Sequence, residues 1–192
     1  MKTNRLEAFS DGVLAIVITI MVLELKVPEG IYFETLLPLF PVFLSYMLSF
    51  IYVAIYWNNH HHLLHVVTKV NGKILWANLN LLFWLSLFPF VTGWMGENHF
   101  ENNPTALYGI VLFMAALAFE ILVHFVIKNE GNESKVASVY KNDKKLKSSL
   151  FLYLIGIVIS FYMPLLSILA YAGVALMWVI PDKRIEETLI DE

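Results

Sequence analysis

Apolar residues in this chain come in long, nearly unbroken stretches, and charged residues gather in short islands between them. A helix rises about 1.5 Å per residue, so about 20 apolar residues cross the roughly 30 Å of bilayer hydrocarbon. Windows of that length predict membrane-spanning helices near residues 6–25, 37–57, 75–95 and 105–127. The run 148–180 is too long for one upright helix and is interrupted at Pro164, just after Phe161 and Tyr162. Proline removes a helical hydrogen bond, so this run predicts a tight hairpin of two short spans, 148–163 and 165–180. The polar connection 128–147, with Gly131, Asn132 and several lysines, reads as a solvated loop. The expected fold class is therefore an all-α integral membrane protein, with residues 1–192 forming one domain of six transmembrane helices.

Composition sharpens this reading. Of 192 residues, 58% are apolar and 15% charged, and the mean hydropathy of +0.66 exceeds that of soluble domains. The chain has no cysteine, which removes disulfides and thiolate metal sites, and its net charge of -3 gives no basic excess for nucleic acid. The first stretch carries Glu7, Asp11 and Glu24 and lacks a small-residue cleavage site, so it is expected to be a permanent helix. With six spans, Lys2, Arg5, Lys69, Lys73, Lys128, Lys135, Lys141, Lys144, Lys145, Lys147, Lys183 and Arg184 fall on one side, and Lys26 alone on the other. The positive-inside rule makes the first side cytoplasmic, with both termini there.

Ionisable groups in hydrocarbon cost roughly 2.5–3.5 kcal/mol each, so those inside spans need a reason. Arg5 and Asp11, the run His60, His61, His62 and His65, Asn78 with Asn80, and Glu120 with His124 all fall toward the cytoplasmic half. They can share one polar layer that fixes helix packing. Arg5 and Asp11 are six apart and face different directions on one helix, so each needs a partner elsewhere, with the His60 region, Asn80 and Glu120 as candidates. On the same helix Gly12, Ile16, Thr19, Leu23 and Lys26 follow steps of 4, 3, 4 and 3 and share one stripe. A stripe like this is either an ordinary helix contact or the lining of an axis, where Ile16 and Leu23 form apolar constrictions and Thr19 a ring of hydroxyls. His61 and His65 have the i, i+4 spacing of zinc ligands, but an oxidase-type metal site needs several such clusters. An interfacial cluster that supports the polar layer or senses cytoplasmic pH fits better, and no metal or cofactor is expected. Glycine-rich phosphate loops and a serine-histidine-acid set are missing from the sequence, and no enzyme is expected; a TVGYG-like carbonyl filter is missing as well.

Arg5, Phe9, Ser10 and Asp11 read R-x-x-x-F-S-D at the start of the first span. This motif resembles the signature of the potassium channels related to the endosomal and lysosomal transmembrane protein 175. Residues 57–62, and Asn80 through Ser86, Pro89 and Phe90, are similar to that family's corresponding stretches. The resemblance implies one six-helix repeat per chain and a homotetramer in the lipid of the cell membrane, with monovalent cations, potassium above all, passing along an axis lined by the first helix. It makes Arg5, Phe9, Ser10 and Asp11 members of a structural network with His60, His61 and Asn80, and makes Ile16, Thr19 and Leu23 the constriction and filter. Glu120 and His124 lie outside the signature and stay as accessory candidates. Two other classes remain in view: a proton- or cation-coupled carrier using Asp11, Glu120 and the histidines, and a membrane metal enzyme built on the histidines.

Overall fold

The computed structural model describes residues 3–140 and 144–179, and all of its regular structure is helical. Lys2, Lys141, Lys183, Arg184 and the end of the last expected span lie outside the described residues. The helices are α1 (Thr3–Leu23), α2 (Phe40–His65), α3 (Gly72–Ser86), α4 (Phe88–Glu97), α5 (Asn102–Glu130), α6 (Lys135–Tyr140), α7 (Lys144–Ser160) and α8 (Pro164–Val179), with a 3-10 turn over Phe33–Leu39 leading into α2. Four stretches are long and apolar enough to cross a bilayer: Thr3–Leu23, Phe33–His65, Gly72–Glu97 and Asn102–Glu130. Aromatic and aliphatic side chains such as Trp76, Phe83, Phe90, Phe151, Val158 and Leu169 stand exposed on the outside. Four long apolar helices together with that surface mark a multi-pass membrane protein.

Local chemistry sets the ends of these helices. The Asn71 side chain caps α3, accepting from the backbone N–H of Lys73 and Ile74 at 2.9 and 3.0 Å. Pro41 and Pro89 sit in first turns, where a missing N–H costs nothing. Pro89 also divides the third apolar stretch into α3 and α4 at Leu87, a break the apolar pattern does not announce. Gly131, at φ 102°, takes a positive-φ conformation that favours glycine and ends α5. The connection expected as a loop carries α6, which buries Val136, Ala137, Val139 and Tyr140 and packs on α5.

One core runs through all the long helices, and its part between α2, α5, α7 and α8 is rich in tyrosine: Tyr52, Tyr56, Tyr108, Tyr153 and Tyr171 are all buried. Their hydroxyls need partners in this apolar setting. Tyr52 donates to the Tyr171 carbonyl at 2.6 Å, and Tyr108 pairs with Ser49, which accepts from Thr92. Gly109 and Gly156 make room for the Tyr171 ring, which a Cβ at either would overlap, and a Cβ at Gly96 would run into the Val42 backbone. The Ser167 hydroxyl donates to the Gly156 carbonyl at 2.7 Å and ties the α7–α8 hairpin across its turn. α1 packs on α2, α3 and α4.

Candidate functional site

Two faces of α1 differ completely. Leu6, Ser10, Leu14, Val17 and Met21 are buried at steps of 4, 4, 3 and 4, which fixes the helix against the subunit. Gly12, Ile16, Thr19 and Leu23 lie on the opposite side, where Ile16 is 60% and Leu23 73% exposed and a Cβ at Gly12 would meet open space. The Thr19 hydroxyl donates to the Ala15 carbonyl at 2.8 Å, so its oxygen lone pairs point away from the backbone. The stripe ends with the helix. Lys26 lies beyond α1 and pairs with Glu97 instead, and the hydrogen bond and charge of that carboxylate hold the Lys26 ammonium above its ordinary pKa.

The buried side of α1 carries the polar network. Ser10 is fully buried and donates to the Leu6 carbonyl at 2.9 Å. Its oxygen accepts from the Asn78 amide at 3.0 Å, while Asn78 Oδ1 meets His60 Nε2 at 2.6 Å. One asparagine therefore links α1 to α2 through its two ends, and this is the geometry that makes a buried polar group affordable. Asn80, the expected member, is half-buried and takes no part; Asn78 shares the buried face of α3 with Ile74, Leu81 and Leu85. That periodicity is the signal that singles it out.

A second pair of contacts lies one turn apart, between the first half of α1 and the last third of α2. The Trp57 indole N–H donates to Asp11 Oδ1 at 3.0 Å, and His61 Nδ1 meets Glu7 Oε1 at 3.0 Å. Glu7 and Asp11 are i, i+4 on α1, Trp57 and His61 are i, i+4 on α2, and the helices run antiparallel, so the contacts form two rungs. The His61 ring stacks on Trp57 at 6.0 Å and 22°. Thr3 adds a tie from its hydroxyl to the Val67 carbonyl at 3.0 Å. Neither Glu7 nor Trp57 was among the expected network residues, although their spacing matches that of their partners.

The other candidates are placed apart. Arg5 and Phe9 lie on the exposed side of α1, and Arg5 has no hydrogen bond or ion pair among the described residues. Glu120 and His124 face a separate open groove of about 470 Å³ between α5 and α6, with Lys128, Asn132 and Tyr140. The histidine run diverges, with His60 pointing into the core and His61 toward Glu7. Among the described residues no three histidines and carboxylates are disposed to hold a metal ion.

These features define a helical membrane protein in which one helix, fixed by polar ties on its inner side, presents a bare apolar face bearing a hydroxyl. The profile of the family described as endosomal/lysosomal potassium channel TMEM175 matches residues 5–89. A protein named a potassium channel from Chryseobacterium sp. (strain P1-3) is 58% identical over 189 residues, 98% of each chain. The crystal structure of a lysosomal potassium-selective channel TMEM175 homolog from Chamaesiphon minutus superimposes with a TM-score of 0.79 at 29% identity, covering 93% of this chain and 96% of that one. A Gallus gallus relative, named an endosomal/lysosomal proton channel, is 29% identical over 61% of this chain and 26% of its own length. The chain belongs to the TMEM175 family, whose named members here are channels rather than enzymes.

Proposed function

We propose that the chain is the subunit of a potassium-selective channel of the cell membrane. In this reading six spans are formed by α1, α2 with its preceding turn, α3 with α4, α5, α7 and α8, and both termini are cytoplasmic. Four copies surround an axis lined by α1. Ile16 and Leu23 form apolar rings that gate by dewetting, and Thr19 between them replaces part of the ion's hydration. The observation that carries the reading is the bare stripe of α1: a hydroxyl and large apolar side chains stand unpacked on a helix whose other face is fully engaged. The names of the bacterial relatives support potassium as the permeant ion.

Reconstituted protein in planar bilayers under opposed potassium and sodium gradients tests this. Wild type is expected to reverse near the potassium potential. Thr19→Ala loses one coordinating oxygen per subunit and is expected to shift the reversal potential toward zero by about 20–40 mV, which corresponds to a loss of roughly 0.5–1 kcal/mol of discrimination per monovalent charge. Saturable flux without resolvable openings would point instead to the coupled-carrier class. A reversal potential that follows a proton gradient would align the chain with the relatives named proton channels.

A further inference from the structure

Charges at the outer end of α1 run against the chemistry of the stripe that leads to them. Continued as a helix, the steps from Gly12 through Ile16, Thr19 and Leu23 bring Lys26 onto the same line. In the proposed assembly that line ends in four ammonium groups at the outer entrance, where each opposes an arriving cation. Two features of the chain prevent this. The helix stops at Leu23, and the Leu25 N–H closes a turn onto the Val22 carbonyl at 3.2 Å, which takes residue 26 out of the helical line. Glu97, the last residue of α4, then binds the Lys26 ammonium.

Glu97 stands on a closed helix end. Asn98 Nδ2 donates to the Trp94 carbonyl at 2.8 Å, and the Phe100 N–H donates to the Met95 carbonyl at 3.0 Å. A carboxylate at a helix C-terminus is disfavoured by the macrodipole, so Glu97 gains from a cation held beside it. Glu24 lies along the same side of α4, its Oε2 3.7 Å from where a Cβ would stand at Gly93, one turn before Glu97. Lys26 is thus flanked by two carboxylates, and the group of three keeps a net negative charge.

We propose that Glu97 masks Lys26 at the outer entrance, so that an arriving cation meets the field of Glu24 and of the C-terminal carbonyls of α1. Glu97 is then a positioning residue for conduction, acting through Lys26. This rests on the reading of α1 as the pore-lining helix. The Lys26 and Glu97 side chains are 73% and 46% exposed, so the pair adds little to stability and its loss leaves the fold in place. Its effect is on the local field, which reaches about 10 Å in 0.1 M salt and about 3 Å in 1 M.

Single-channel currents test the mask. Glu97→Gln leaves four bare ammonium groups and is expected to lower inward potassium current about fourfold at 0.1 M external potassium, a difference that closes at 1 M. Outward current is expected to change far less. Lys26→Gln combined with Glu97→Gln is expected to recover the wild-type inward current. Wild-type current in Glu97→Gln at 0.1 M, or a double variant as low as Glu97→Gln, would overturn the proposal. A second readout needs no current: acylation of Lys26 by a membrane-impermeant amine reagent applied from outside, followed by mass spectrometry. The paired ammonium holds its proton more firmly and reacts slowly, so Glu97→Gln is expected to raise the rate about threefold. Equal rates in the two proteins would also overturn the proposal. A wild type without potassium current would instead count against the channel reading, and the acylation rate would still decide whether the pair forms.

Discussion

Ile16→Asn is expected to raise the single-channel potassium current about tenfold and to weaken discrimination against sodium. Ile16 is 60% exposed on the side of α1 opposite its buried face, so its replacement is expected to leave the fold of the subunit in place. In the proposed assembly four such side chains form an apolar ring through which an ion passes with little hydration. Four amides would keep that ring wet, and lowering the dehydration barrier by about 1.4 kcal/mol is a tenfold change in rate. Discrimination falls because an ion that keeps its water is less exposed to the hydroxyls of Thr19. Single-channel amplitudes and reversal potentials measure both effects. Unchanged amplitude in a correctly assembled variant would place Ile16 away from the ion path.

Asn78→Ala is expected to cost the fold more than any exposed substitution on α1. Removing the amide leaves the Ser10 oxygen without its donor and His60 Nε2 without its partner, in a layer where His60 Nδ1 already has no hydrogen bond. Each orphaned buried group costs about 1–3 kcal/mol, and the total of about 2–6 kcal/mol is a large share of the stability of a typical domain. Thermal unfolding of the purified protein is expected to shift downward by many degrees. Asn80→Ala, half-buried and outside the network, is the comparison and is expected to shift far less. Equal shifts in the two variants would show that the chain from His60 to Ser10 does not hold α1 in place.

Length and hydropathy made the helical membrane architecture legible, because only a helix satisfies its own backbone in hydrocarbon and its length is fixed by bilayer thickness. Pro164 likewise announced the turn between α7 and α8. A hydropathy window is blind to faces, however, and this is why Asn80 stood out as much as Asn78. The two asparagines differ by about 200° around α3, and only Asn78 falls in line with Ile74, Leu81 and Leu85. The division of α3 from α4 was hidden because the apolar run continues through Leu87 and Pro89. The short α6 was hidden because its buried residues Val136, Ala137, Val139 and Tyr140 lie among lysines and serines that dominate a local average. Glu120 and His124 looked like members of the polar layer because depth in the membrane is readable from a sequence, whereas the bearing of a helix face is not. Their groove beside α6 belongs to another side of the subunit from the ties of α1 to α2 and α3.

Because the natural sequence has no cysteine, single cysteines can be introduced against a silent background. The most direct measurement is current through channels carrying Cys at position 16, 19 or 23, compared with Cys at the buried positions 14 or 17, before and after a charged thiol reagent. An axis lined by the bare face of α1 predicts block at Ile16→Cys, Thr19→Cys and Leu23→Cys, with no response at Leu14→Cys or Val17→Cys. Silence at all three exposed positions in conducting channels, or block confined to the buried ones, would contradict it.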